Sequence, residues 1–584
     1  MSLLQVENLN IRYGNTTVVS DLSFHVSAGE SVGVVGESGS GKTQTALAIM
    51  GLLPNTAKTS GTIRFDDEEI LGVGEAALDR LRAVRIAMVF QDPQQALNPY
   101  VKVGRQLSHI LNAHDLAHGA EADARVVAML QRVGLPDPER QFDVFPHQLS
   151  GGMRQRAMIA SALIAQPDLL IADEPSTALD VTVQAQILEL LEDIRDDTAL
   201  LLITHDLGIV AGRCERMLVM ENGCLVESGK TAAVFSGPQH QHTRELIESA
   251  PRLDRGTALA PLQAEELLSI EAAEVSYAER GKGRLHAVQQ LSIAVQEGET
   301  VAIVGESGSG KSSLVRAALG LVPLSSGRVT FCGETLSNSL KSRSESVRRD
   351  LQLVFQDPVA SLNPQMKVQS IIAEQLKVHE PGMSKPEQRA AVSAMLDKVG
   401  LDDSYLTRYP HQLSGGQAQR VAIARALILR PKVLVCDEAV AALDGSVRKQ
   451  ILELLRQEQR DSGLSILFIT HDLAVARSIS HRVLVMYLGR LAELAASEEL
   501  FVRARHPYTA ALLKAVPVPD PTAAGGDASL AGEVPSILNP PSGCAFHPRC
   551  AYVKDICGNV RPSSRQLDGA TIACHRAEEI GETG

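Results

Sequence analysis

The chain has 584 residues and a net charge of −13, with 44% apolar residues, 21% charged residues, 3% aromatic residues and no tryptophan. That length predicts about three or four domains, and the composition is that of ordinary folded protein. The acidic balance and scarcity of rings argue against nucleic acid as a partner. The N-terminal MSLLQVENLN has no basic region followed by an apolar core, so no signal peptide is expected. The uncharged stretch Thr43–Ala57 contains Gln44, Pro54 and Asn55 and is too short and polar to span a bilayer. A chain soluble by itself follows, in a reducing compartment where its eight cysteines form no disulfides. Any membrane role must then come through a partner.

Strand-like alternation opens the chain at Leu3–Asn10, and an apolar run at Ser31–Val35 leads into GESGSGKT at Gly36–Thr43. A helical pattern follows at Gln44–Met50. Strand, glycine-rich turn, Lys and Thr, then helix is the phosphate-binding P-loop. Gly36, Gly39 and Gly41 let the backbone curl so that its N–H groups, with those of Ser38 and Ser40, point at phosphate oxygens. The helix adds the positive end of its dipole. Lys42 would reach the β- and γ-phosphates, and the Thr43 hydroxyl would hold Mg²⁺.

Every later landmark occurs twice. VFQDP stands at Val89–Pro93 and Val354–Pro358, PHQLSGG at Pro146–Gly152 and Pro410–Gly416, and ITHDL at Ile203–Leu207 and Ile469–Leu473. DE closes an apolar run at Asp173–Glu174 and Asp437–Glu438, and GESGSGKS at Gly305–Ser312 repeats the P-loop with Ser307, Gly308, Ser309, Gly310 and Lys311. The nearly constant offset between copies marks a tandem repeat of a whole domain. Short apolar strands alternating with helical patterns imply an α/β core around a largely parallel sheet. Helix formers such as Glu121–Val133 and Lys385–Val399 predict a helical subdomain inserted in each core. The expected organisation is a first domain at 1–253, a linker at 254–267, a second domain at 268–520 and a C-terminal segment at 521–584. Within that segment, 521–529 reads as a flexible joint.

The motif order resembles that of the ATP-binding cassette (ABC) ATPases, over about nine-tenths of the chain. LSGGM at Leu149–Met153 and LSGGQ at Leu413–Gln417 are the distinguishing letters. The resemblance implies two cassettes, each an α/β core plus helical subdomain, that bind ATP and Mg²⁺. It implies that Ser150, Gly151, Gly152 and Met153 of one cassette serve the P-loop of the other, as Ser414, Gly415, Gly416 and Gln417 do in return. Asp173 and Asp437 would hold Mg²⁺, and Glu174 and Glu438 would polarise the attacking water. His205 and His471 would contact the γ-phosphate, and Gln91 and Gln356 would sense Mg²⁺ and couple the site to a membrane partner. Tyr13 and Tyr277 would stack on adenine, with simple packing as the alternative.

FQDPQQALNP, FQDPVASLNP and the two PHQLSGG words look like the dipeptide/oligopeptide/nickel importer branch. HPYTAALLKAVP at His506–Pro517 is similar to that branch's C-terminal segment, with a degenerate counterpart, HQHTRELIESAP, at His240–Pro251. The implied function is to power import of peptides or related solutes, with two permease subunits and an extracytoplasmic binding protein, from the cytoplasmic face of the membrane. The rival class is a soluble tandem-cassette ATPase acting on ribosomes or DNA. The copies differ at Met153, where Gln is usual, and at Ala439-Val440-Ala441, which replaces the Pro-containing turn after Glu174. Both sites are still expected to hydrolyse ATP, at unequal rates.

The tail holds Cys544, Cys550, Cys557 and Cys574 in an irregular Pro/Gly-rich context that predicts a small module of its own, without the CxxC pairs of zinc ribbons. Four thiolates on wide loops suit an iron–sulfur cluster. The resemblance to the cysteine segment of peptide-importer ATPases implies [4Fe–4S]. Zinc, with His547 or His575 as further ligands, and four unliganded thiols stay open. Cys214, Cys224, Cys332 and Cys436 are scattered and read as small packed residues.

Overall fold

A computed structural model describes the chain except residues 1, 177–178, 194–197, 251, 254–258, 260–261, 280–282, 441–442, 444, 523–529, 531, 533 and 581–584. Half of the expected linker and most of the 521–529 joint therefore lie outside the described residues, as does Ala441 of the altered turn. The chain forms two compact units. The first comprises Met1–Leu179, Val183–Ala250 and Pro517–Ser529, and the second Asp180–Thr182, Pro251–Val516 and Leu530–Gly584.

In the first unit a six-stranded sheet runs in the order Cys224–Lys230, Arg216–Glu221, Ser31–Val35, Ala199–Ile203, Leu169–Asp173, Ile86–Val89. All neighbours are parallel except Cys224–Lys230 against Arg216–Glu221. The strands at 31–35, 169–173 and 199–203 are buried at all five positions. Continuous apolar runs are what strands covered on both faces require. A second, antiparallel sheet joins Thr16–Ser27, Ser2–Tyr13, Ala57–Phe65 and Glu68–Glu69. Its inward residues Leu4, Val6, Leu9 and Ile11 pack on one face of the first sheet with Val32, Val34, Leu201 and Ile203.

The expected helical subdomain is present, with helices Val103–Ala113, Gly119–Arg132 and Pro138–Phe142. Val103, Leu107 and Leu111, spaced by four, lie on one helix face and are all buried. They share a core with Val126, Leu130 and Phe142.

The second unit repeats the plan. Its main sheet runs Leu351–Val354, Val433–Asp437, Ser465–Ile469, Thr300–Val304, Arg482–Tyr487, Arg490–Ala496, and its antiparallel sheet joins Gly283–Gln296, Glu266–Glu279, Ser326–Phe331 and Glu334–Thr335. Helices Val368–His379 and Lys385–Lys398 form its helical subdomain. Ser384 caps the latter in a reciprocal capping box with Glu387.

The cysteine tail, expected as a module of its own, is built onto this sheet instead. Its hairpin, Arg565–Leu567 with Ala570–Ile572, pairs antiparallel with Arg490–Ala496 and brings the sheet to eight strands. Phe546, Ala570, Ile572 and Ala577 enter one apolar cluster with Val483, Val485, Tyr487 and Tyr508. A segment of this length makes at best a marginal core of its own, and this one shares the cassette's. Among the described residues, no helix is long and apolar enough to cross a membrane.

Candidate nucleotide sites

Both P-loops leave the carboxyl end of an interior strand. Gly36, Gly39 and Gly41 have φ of 157°, 83° and 96°, and Gly305, Gly308 and Gly310 have 143°, 74° and 97°. A Cβ on Gly36 would stand 2.3 Å from the Met220 carbonyl oxygen, and one on Gly305 would stand 2.2 Å from that of Met486. Gly39 and Gly308 face open space at the crest of each loop. The first glycine of each loop is thus fixed by contact with the neighbouring strand, and the next lets the backbone approach an anion closely.

The Lys42 Nζ donates to the carbonyls of Gly36 and Glu37, each at 2.8 Å, and to Ser40 Oγ at 3.3 Å. Lys311 does the same to Gly305 at 2.7 Å, Glu306 at 2.8 Å and Ser309 at 3.4 Å. Both lysines are buried with their charge inside the loop that would receive phosphate. Burial pushes the Lys311 pKa down.

Each Mg²⁺ candidate sits beside its hydroxyl. Ser312 Oγ donates to Asp437 Oδ1 at 2.9 Å. Burial pushes Asp173 up to about 6 against a hydrogen bond from Thr43. Asp173 Oδ1 is buried without a hydrogen-bond partner among the described residues. A buried, unsatisfied carboxylate oxygen next to a hydroxyl is a donor set that suits a hard divalent cation.

The expected glutamine, glutamate and histidine come together in both copies. Gln91 Nε2 donates to Glu174 Oε2 at 3.1 Å, and His205 Nδ1 lies 3.2 Å from Glu174 Oε1. In the second copy Gln356 Nε2 donates to Glu438 Oε2 at 3.0 Å, and His471 Nδ1 lies 3.6 Å from Glu438 Oε1. Burial works to raise Glu438, but His471, Lys311 and Gln356 together hold it below the ordinary carboxylate range. Burial opposes protonation of His471, and Glu438 outweighs it and raises the histidine. Both glutamates adopt positive φ, 48° at Glu174 and 52° at Glu438. Their backbone N–H groups donate to Ile203 and Ile469 of the adjacent strands at 2.8 and 3.0 Å. Strain of this kind persists only where surrounding structure imposes it.

Tyr13 donates to Gln44 Oε1 at 2.6 Å and Tyr277 to Ser313 Oγ at 3.2 Å. Each ring thereby stands at the start of the helix that leaves the P-loop.

The signature helices are Gly151–Leu163 and Gly415–Leu427. Ser150 Oγ accepts from Met153 N at 3.2 Å and Ser414 Oγ from Gln417 N at 3.3 Å. Only Gln417 returns a bond, accepting from Ser414 N at 3.0 Å, and its Nε2 donates to Tyr405 OH at 3.0 Å. Met153 can make neither contact and packs against the apolar core.

All four tail cysteines line one pocket, together with His547 and His575. Burial and the neighbouring thiols raise Cys544, and burial, opposed by the Tyr552 backbone, raises Cys550. Cys574 is pushed up to about 11, chiefly by burial. Among the described residues, no three His, Cys, Asp or Glu side chains are placed to hold a single metal ion.

The model "ABC transporter" matches residues 19–177 and 288–441, one stretch in each copy. The chain belongs to the ABC transporter ATPase family. A second model, "Oligopeptide/dipeptide transporter, C-terminal region", matches this ABC ATPase at 226–280 and 492–557. The second of these matches covers the HPY word. The chain is 41% identical to the glutathione import ATP-binding protein GsiA of Pectobacterium atrosepticum, over 89% of its own length and 90% of that protein. It is 44% identical to the peptidoglycan transport ATP-binding protein YejF of Agrobacterium fabrum, over 88% and 96% respectively. GsiA of Escherichia coli K12 is 42% identical over 89% and 90%.

One site contact was hidden in the sequence. Tyr508 of the HPY word accepts a hydrogen bond from Glu306 N, inside the second P-loop, at 2.9 Å. The word marked a branch of the family, and nothing local to it named its partner. For the signature helix, Gln417→Met gives the second copy the residue of the first and removes two hydrogen bonds. It should cost about 1–2 kcal/mol, read as a lower urea midpoint for the second unit.

Proposed function

We propose that this ABC ATPase is the ATP-hydrolysing subunit of an importer for peptides or related small solutes. It would work at the cytoplasmic face of the membrane with two permease subunits and an extracytoplasmic binding protein. The observation that carries this reading is the match to the oligopeptide/dipeptide transporter C-terminal region at 226–280 and 492–557, beyond each ABC transporter match. The same matches leave nothing in favour of a ribosome- or DNA-directed ATPase. The cassettes are assigned to 1–253 and 268–520, joined by 254–267 and followed by the cysteine-rich 521–584. By family architecture, Ser414–Gln417 completes the site at Gly36–Thr43, and Ser150–Met153 that at Gly305–Ser312.

The roles follow from the chemistry at each strand end. P-loop amides and Lys42 or Lys311 bind the phosphates. Thr43 with Asp173, and Ser312 with Asp437, would hold Mg²⁺, which supplies positive charge where phosphoryl oxygens become more negative. Glu174 and Glu438 polarise water, held by Gln91 with His205 and by Gln356 with His471. A carboxylate oxygen can accept more than one hydrogen bond, so a water can donate to either glutamate. The low pKa of Glu438 keeps it ionised at neutral pH. Tyr13 and Tyr277 receive the adenine.

For the tail, the proposed group is a [4Fe–4S] cluster on Cys544, Cys550, Cys557 and Cys574. The support is one pocket lined by all four thiols, three of them raised in pKa. A cation is what would bring such thiols to thiolate. In a cluster each cysteine binds its own iron, so four ligands need not converge on one metal position.

Three measurements test these assignments. Glu174→Gln with Glu438→Gln should lower phosphate release about 10²–10⁴-fold while ATP stays bound, and undiminished hydrolysis overturns the assigned bases. The tagged chain should co-purify from membranes with two polytopic proteins; consistent recovery with ribosomes instead would sink the importer reading. Protein purified without oxygen should be brown and contain iron and acid-labile sulfide, both lost on Cys550→Ser, whereas stoichiometric zinc or no metal overturns the cluster.

A further inference from the structure

The second P-loop contains a carboxylate, Glu306, that is 1% exposed. Its partner is Arg549, whose side chain is 3% exposed and lies between Cys544 and Cys550 in the tail. Arg549 Nη1 donates to Glu306 Oε2 at 2.8 Å and Nη2 to Oε1 at 2.9 Å, a bidentate pair across 243 residues of sequence. Thr182 Oγ1, a residue grouped with this unit, also donates to Oε1 at 2.5 Å. The Glu306 backbone is held as well, its N–H by Tyr508 OH and its carbonyl by Lys311 Nζ at 2.8 Å.

Arg549 is itself anchored in a ring cluster. Its Nη1 also reaches Tyr487 OH at 3.4 Å, and Tyr487, Tyr508 and Phe546 lie with centroids 4.7–5.4 Å apart. Phe546 and Arg549 belong to the same short Cys544–Cys550 loop. A buried ion pair is not needed for stability, because apolar residues of similar volume would fill such a space at least as well. What the pair adds is a fixed geometry: two parallel N–H···O bonds set both the position and the plane of the carboxylate. That carboxylate belongs to the loop whose amides must point at phosphate.

We propose that Arg549 is a positioning residue for the second ATP site, so that the cysteine-bearing tail serves as a strut for the Gly305–Ser312 loop. The inference rests on that loop being an ATP site. It adds that the loop's shape is set by a residue far from the nucleotide. The first P-loop carries Glu37 at the equivalent place, but the counterpart of Tyr508 there is His242, which offers no hydroxyl.

The test uses the full-length chain with Lys42→Ala to silence the first site, and mant-ATP as the probe. Arg549→Met should weaken mant-ATP binding about tenfold or more and lower turnover by up to about 100-fold, the scale of an ångström-level misplacement. Glu306→Gln in the Arg549→Met background should recover part of the loss, because the unpaired buried charge is gone. Arg549→Lys, with charge but no fork, should fall between. Wild-type binding and turnover in Arg549→Met, or losses that simply add in the double variant, overturn the proposal. If Arg549→Met does not fold, Tyr508→Phe decides: binding weaker by about tenfold supports the strut, and unchanged binding refutes it. Lys311→Ala separates this from the site assignment. If that variant still binds mant-ATP, the loop is not the ATP site; if it does not and Arg549→Met still does, only the strut fails.

Discussion

The parallel sheet decides where chemistry can occur. In each copy the residues proposed for the site leave the carboxyl ends of adjacent parallel strands: in the first, the P-loop after 31–35, Asp173 and Glu174 at the end of 169–173, His205 after 199–203, and Gln91 after 86–89. That edge is where open α/β sheets bind ligands. A one-residue slip in any pairing would turn a buried strand residue toward the other face, and with it the carboxylate or imidazole at its end. The contact of Gly36 with Met220 and of Gly305 with Met486 shows the same dependence from the loop's side. The cradle keeps its shape because a neighbouring strand passes too close for any side chain there.

Local pattern and long-range pairing differ in how far the sequence discloses them. Motif letters, helix-rich inserts and buried runs depend on nearest neighbours and on period, so Gly119–Arg132 and Lys385–Lys398 form close to where helix formers cluster. The Gln–Glu–His sets were named from resemblance, and the geometry of Gln91, Glu174 and His205 agrees with that grouping. The tail was different. Its cysteine spacing suggested independence, yet a three-residue strand finds a partner only on an existing edge, and Ala570–Ile572 takes the edge of Arg490–Ala496. The Arg549–Glu306 pair was equally out of reach, because a lone Arg and a lone Glu 243 residues apart carry no period and no spacing.

Duplication left the two copies unequal in ways that bear on rigidity. Gln417 closes a reciprocal box at the second signature and Met153 does not. Glu227 accepts the N–H groups of Gln239 and His240 as Glu493 accepts those of Arg505 and His506, so the corresponding turn in each copy is held by a carboxylate. Past that point they diverge. His242 Nε2 is buried without a hydrogen-bond partner among the described residues, whereas Tyr508 ties its turn to the P-loop backbone.

The HPY turn works only if its histidine is neutral. His506 is buried, and burial pushes its pKa down to about 4. At neutral pH its Nδ1 therefore carries a lone pair, and Tyr508 N donates to it at 3.1 Å. Protonation would replace that acceptor with a second donor and leave a charge inside an aromatic cluster. Neutrality thus fixes the backbone that aims the Tyr508 ring, and the ring's hydroxyl then meets Glu306 N. Pro507 fits the first helical position, where no N–H is needed. The three letters that mark this branch of transporters have one structural meaning here. His shapes the turn, Pro starts the helix, and Tyr carries the resulting geometry to the phosphate-binding loop.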